Sequence, residues 1–103
     1  MRSEHILEID ENTFNSAVTL SPLPTLVDFS ATWCAPCRAM APHLDAIARQ
    51  SAGRLRVALC DADENPGLAA RFDVRSMPTF LLLQEGHVLA ELVGAVPRAR
   101  LEA

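Results

Sequence analysis

The chain has 103 residues, half of them apolar and about a fifth charged, with a formal net charge of −4; that is enough for one hydrophobic core and too little for two. All nine basic residues are arginines spread along the chain, which excludes the clustered cations of a phosphate-binding surface. The opening MRSEHILEIDEN lacks the apolar core of a secretory signal, and no run approaches the roughly 18 apolar residues of a membrane span. The expectation is a cytoplasmic monomer with neither nucleic acid nor membrane as partner.

In chain order, His5 to Ile9 alternates as a short strand. Glu11 to Leu20 reads as a helix in which Phe14, Ala17 and Val18 share a face. Pro22 and Pro24 break it. Thr25 to Phe29 (TLVDF) has the composition of a strand buried on both faces, apart from the carboxylate of Asp28. From Cys37 to Ser51 the pattern is strongly helical, with Cys37, Met40, Ala41, Leu44, Ile47 and Ala48 on one side. Pro42 inside this segment predicts a kink.

Gly53 ends the helix, and Leu55 to Cys60 (LRVALC) supplies another strand, so the sheet is at least partly parallel. Asn65-Pro66-Gly67 opens a short helical turn through Phe72. Thr79 to Gln84 and His87 to Val93 then flank the turn signal Glu85-Gly86 as an antiparallel hairpin. Gly94 leads to two turns of helix from Pro97 to Ala103. The alternation predicts an α/β domain spanning residues 1–103, a mixed central sheet with helices on both faces.

Chemistry concentrates at Trp33-Cys34-Ala35-Pro36-Cys37. Three cysteines are too few for a secreted disulfide framework, and a CxxC in a reducing compartment is either half a metal site or a redox pair. Cys34 falls at the start of the long helix, where unpaired N–H groups and the helix dipole favour a thiolate, and Pro36 suits a first turn because it has no N–H to orphan. A spacing of three brings the sulfurs within bonding reach. Cys34, nearer the solvent, is expected to attack a substrate disulfide, and Cys37, on the apolar face, to resolve the mixed disulfide. Zinc would need two further ligands, and neither Cys60, which ends a strand, nor His43 is suitably placed. Cys60 reads as a small core hydrophobe. His5, His43 and His87 stand on polar positions.

WCAPC after Val27-Asp28-Phe29, the central Asn65-Pro66-Gly67, Met77-Pro78-Thr79 before a strand and the closing Val93-Gly94-Ala95 together resemble the thioredoxin family along the whole chain. The resemblance implies the thioredoxin fold and a general protein-disulfide reductase with no bound cofactor. Such an enzyme acts on disulfide-containing proteins and is recharged by a thioredoxin-reductase-like donor. Two other readings are an oxidant or isomerase of an oxidising compartment and a docking subunit in which the dithiol is dispensable.

The resemblance further implies that Asp28 lies beneath the dithiol and relays a proton for the resolving cysteine, in keeping with a carboxyl whose pKa is raised by burial. It implies a cis peptide bond at Met77-Pro78, with the Met77 backbone pairing to an extended substrate segment. Trp33, Ala35, Pro36, Met77, Val93, Gly94 and Ala95 then form an apolar rim around the sulfur. The chain departs from the family pattern at Leu59, where a lysine is common, at Ser30, where a second tryptophan is common, and at Ala35, where glycine is common. With Ala35-Pro36 between the cysteines, a reduction potential near the family's roughly −270 mV is expected.

Overall fold

A computed structural model describes residues 5–95, 97, 100 and 101. Five strands form one sheet in the order β1-β3-β2-β4-β5: β1 (Leu7–Glu8), β2 (Thr25–Ser30), β3 (Arg56–Asp61), β4 (Thr79–Gln84) and β5 (His87–Val93). β1 and β2 run parallel to β3, while β4 is antiparallel to β2 and to β5. The mixed sheet expected from the alternation is therefore present, and the last two strands have the expected bounds. Their turn works because Glu85 and Gly86 both have positive φ, 53° and 84°, the backbone handedness that a tight two-residue hairpin requires.

Side-chain alternation along β2 sorts the core into two layers. Val27 and Phe29 join Ala58, Cys60, Leu81 and Leu83 on one face, covered by Phe14, Val18 and Leu68. Leu26 joins Val57 and Phe80 on the other, covered by Met40, Leu44, Ile47 and Ala48 of α1 (Ala35–Gln50). On the first face Phe14 and Phe29 both meet the half-buried ring of Phe72, at centroid distances of 5.4 and 6.1 Å. Arg71, at the end of α2 (Pro66–Arg71), lies over the Phe14 and Phe72 rings at 5.1 and 4.9 Å.

Three elements differ from the expectation. The first strand shrinks from five residues to Leu7–Glu8, an edge pair held only by β3. The helix expected over Glu11 to Leu20 is a π-type turn over Asn15–Thr19, preceded by a tight turn in which Asp10 Oδ1 accepts from the Asn12 and Thr13 amides. Phe14, Ala17 and Val18 still face the core, so the hydrophobic pattern holds although its helical period does not. The long helix begins two residues early, at Ala35, and continues unbroken through Pro42. The final helix expected over 97–103 lies largely outside the described residues, which include a helical Arg100–Leu101.

Glu11 ties the two ends of the first layer together across 56 residues of sequence. Its Oε2 accepts from the amides of Gly67, at 2.6 Å, and Leu68, while its own amide donates to Asn65 Oδ1 at 3.0 Å. A Cβ at Gly67 would collide with that carboxylate, which is the local reason for glycine there.

Candidate redox site

β2 ends at Ser30, and four residues later the chain enters α1, so the C-terminal edge of the sheet delivers the CxxC directly to a helix start. Cys34 is the N-cap of α1, with φ −89° and ψ 107°. Its Sγ accepts from the Cys37 amide at 3.2 Å, standing where a serine or aspartate oxygen usually sits. The Cys34 amide donates to the Ala31 carbonyl at 3.1 Å, which fixes the approach of the loop. Cys34 and Cys37 are joined by a disulfide, with their Cα atoms 5.3 Å apart. Pro36 occupies the first turn, as its missing N–H allows.

Both cysteines are buried, Cys34 at 3% exposure and Cys37 at 6%. The expected solvent bias toward Cys34 is thus absent in the disulfide form. What separates the two sulfurs is the helix: Cys34 stands at its positive end and receives an amide N–H, whereas Cys37 lies one turn in. Met77 packs against the pair together with Ala31, and the Met77–Pro78 peptide bond is cis, as the resemblance implied. Thr79 braces this corner by donating its hydroxyl to the Ser76 carbonyl at 2.7 Å.

Most residues of the expected rim are exposed. Trp33 is 65% exposed and Val93 55%, and Ala35, Pro36 and Ala95 are exposed as well. Gly94 has φ 88°, a conformation that disfavours any other residue, and no atom of the described residues occupies the space where its Cβ would lie. Its amide donates to the Pro78 carbonyl at 2.8 Å, so the Val93–Ala95 wall and the Met77-Pro78 wall are hydrogen-bonded to each other.

Asp28 is 2% exposed, between Leu59 of β3 and Phe80 of β4 in the sheet register. Its Oδ1 has no hydrogen-bond partner among the described residues. Burial pushes its carboxyl from 3.8 up to about 7. Asp28 and Cys37 line the same groove, about 990 Å³, between α1 and the β1–β3 edge. Leu59 lines it too, half-buried, and supplies no charge.

The model of the family described as Thioredoxin matches residues 5–103. The chain is 44% identical to the thioredoxin of Acidithiobacillus ferridurans over 101 residues, 98% of this chain and 94% of that one. It is 43% identical to the thioredoxin of Haemophilus influenzae over 96 residues, 93% and 90% of the respective chains. The chain belongs to the thioredoxin family. It is accordingly a thiol–disulfide oxidoreductase, a protein-disulfide reductase whose reversible pair is Cys34–Cys37. Thioredoxins work through that dithiol and disulfide without a bound cofactor, and among the described residues no group of three His, Cys, Asp or Glu side chains is arranged to hold a metal.

Some of the site's supports have no signal in the sequence. Asp63 accepts the Trp33 indole N–H at 2.5 Å, so the exposed ring is tethered to the β3–α2 loop. Arg38 donates to the Thr32 carbonyl at 2.7 Å and pins the β2–α1 loop that carries Trp33. Both contacts join positions on exposed, polar segments where no periodicity exists to predict them. Cys60 is fully buried in the opposite layer, and burial with nearby carboxylates raises its thiol to about 12. That agrees with its reading as a core residue. His5, His43 and His87 are exposed, also as expected.

Proposed function

We propose that Cys34 is the attacking thiol, Cys37 the resolving thiol and Asp28 the group that takes the proton of Cys37. The observation that carries this is the Cys37 amide donating to Cys34 Sγ at the first turn of α1. A negative charge on that sulfur meets a donor and the positive end of the helix, and one on Cys37 does not. In the first step the Cys34 thiolate bonds to one sulfur of the substrate disulfide and expels the other as a thiolate. In the second, Cys37 loses its proton to Asp28 and bonds to Cys34 Sγ, releasing the remaining substrate sulfur. Two electrons pass from the dithiol to the substrate, and Cys34–Cys37 is left oxidised.

Asp28 suits the proton step because a carboxyl with a pKa of about 7 both gives and takes a proton at neutral pH. An extended substrate segment pairs with the backbone of Met77, and the apolar rim of Trp33, Ala35, Pro36, Val93, Gly94 and Ala95 provides contact area with little sequence preference. Residues 1–103 act as one monomeric thioredoxin domain in the cytoplasm. Disulfide-containing proteins are its substrates, and a thioredoxin-reductase-like enzyme drawing on NADPH recharges it.

The test is selective alkylation of the reduced protein. Limiting iodoacetamide at pH 7 is expected to label Cys34 at least tenfold faster than Cys37, read by mass spectrometry of peptides. Preferential labelling of Cys37 would reverse the assignment. With dithiothreitol as donor the protein is expected to accelerate insulin precipitation, and Cys37→Ser to accumulate the mixed disulfide with insulin.

A further inference from the structure

Among the described residues, the groove behind the dithiol is unbalanced in charge. It is lined by the carboxylates of Glu8, Asp10, Asp28, Asp45, Asp61 and Glu64, against the guanidiniums of Arg38 and Arg49 and the imidazole of His5. Both guanidiniums are already engaged: Arg49 pairs with Asp45 at 3.0 Å, and Arg38 donates to the Thr32 carbonyl. At the bottom lies Asp28, 2% exposed, with Oδ1 unpartnered among the described residues. A buried carboxylate without a donor is costly, and a cation that brings its own N–H groups removes that cost.

The rest of the lining selects which cation. Leu59, Leu44, Pro42, Ile6 and Ala41 form apolar wall, and no group of three His, Cys, Asp or Glu among the described residues is arranged for a metal ion. A hard metal cation at Asp28 would keep most of its oxygen shell as water, and a hydrated ion gains nothing from that apolar wall. An ammonium on a methylene chain carries three donors at its tip and apolar surface behind it, matching the order of the lining from floor to wall. We infer that this groove binds a primary alkylammonium ion, its ammonium on Asp28 and its methylene chain along Leu59, Leu44 and Pro42. A diamine is favoured over a monoamine, because its second ammonium reaches the acidic rim of Asp10, Asp61 and Glu64.

Occupancy holds Asp28 as the carboxylate and displaces it from exchange with Cys37. This consequence for turnover rests on the proton role proposed for Asp28; binding itself does not. The inference is tested by calorimetric titration of the oxidised protein at pH 8 with 1,4-diaminobutane, n-butylammonium and tetramethylammonium at matched ionic strength. Saturable one-to-one binding of the diamine is expected, several-fold weaker for the monoamine and absent for tetramethylammonium, which has no N–H. Asp28→Asn is expected to weaken diamine binding at least tenfold. Leu59→Lys, which places an ammonium in the groove from the chain itself, is expected to do the same.

Equal diamine binding by wild type and Asp28→Asn, or equal binding of tetramethylammonium, would mean that only the acidic rim attracts these ions, and the inference fails. Absence of saturable diamine binding overturns it outright, whatever the turnover of Asp28→Asn. Binding as expected, with insulin reduction slowed by the diamine in wild type and not in Leu59→Lys, supports both the site and the proton role. Binding as expected with unchanged turnover upholds the site and overturns the proton role of Asp28.

Discussion

Asp28-Phe29 on β2 and Leu59-Cys60 on β3 are register neighbours, yet the two sides of that patch of sheet have opposite chemistry. On the side of Phe29 and Cys60 the layer is closed by Phe14, Val18 and Leu68, and a buried thiol held up near 12 is inert at neutral pH. On the side of Asp28 and Leu59 a groove enters the layer beside α1, and a buried carboxyl held near 7 titrates where the protein works. Burial raises both groups. What differs is the surroundings: Asp28 shares its groove with Cys37 of α1, whereas Cys60 is packed in hydrocarbon, its Sγ donating to the Asp61 carbonyl at 4.0 Å, with nearby carboxylates that disfavour its anion.

The contrast breaks most sharply at Cys34. Cys34→Ser is expected to lower insulin reduction at least about a thousandfold, since neither other cysteine caps a helix start. Retention of activity in that variant would mean that the inert layer is not inert.

Next comes Asp28→Asn, with two effects. Insulin reduction at pH 7 is expected to fall about tenfold or more, since general acid–base assistance is lost. Stability moves the other way. With a folded pKa near 7 and an ordinary value of 3.8, the folded state holds the proton that the unfolded state loses, so stability falls as pH rises from about 4 to about 7 and is level above. The asparagine variant has no such slope and gains up to about 4 kcal/mol at pH 8. Urea denaturation at pH 5 and pH 8 reads the difference; equal pH dependence in both proteins would remove Asp28 from the account.

On the opposite layer the expected effects fall on stability alone. Phe14→Ala removes the ring that meets Phe72 and lies under Arg71, and it is expected to cost about 3–5 kcal/mol in denaturant melts. Turnover per folded molecule stays unchanged. Smallest is Cys60→Ala, expected to cost about 1 kcal/mol with insulin reduction within about twofold of wild type. A larger loss of activity would show that Cys60 takes part in exchange.

Much of this contrast is legible in the amino-acid sequence. Thr25 to Phe29 and Thr79 to Gln84 announce a sheet buried on both faces because these runs are short, apolar and bounded by turn residues. Asp28 stands out because a carboxylate interrupts such a run. The π-type turn at Asn15–Thr19 is less legible, since apolar spacing reports which residues face inward and not how tightly the backbone winds. Asp63, Arg38 and Glu11 are silent for a related reason: their partners are an indole N–H, a loop carbonyl and two helix-start amides, brought together only by the tertiary fold.

The sulfur cap on α1 makes the helix itself sensitive to electron count. In the disulfide form the Cys37 amide donates to a neutral sulfur at 3.2 Å; on the proposed assignment of Cys34 as the attacking thiolate, the same amide would face a stronger acceptor in the dithiol form. The opening turn of a sixteen-residue helix is therefore expected to tighten when the protein is charged with electrons and to loosen when it is spent. Amide deuterium exchange at Cys37 becomes a gauge of that state, and a partner gripping this turn would distinguish a loaded carrier from an empty one by stiffness as well as by sulfur chemistry.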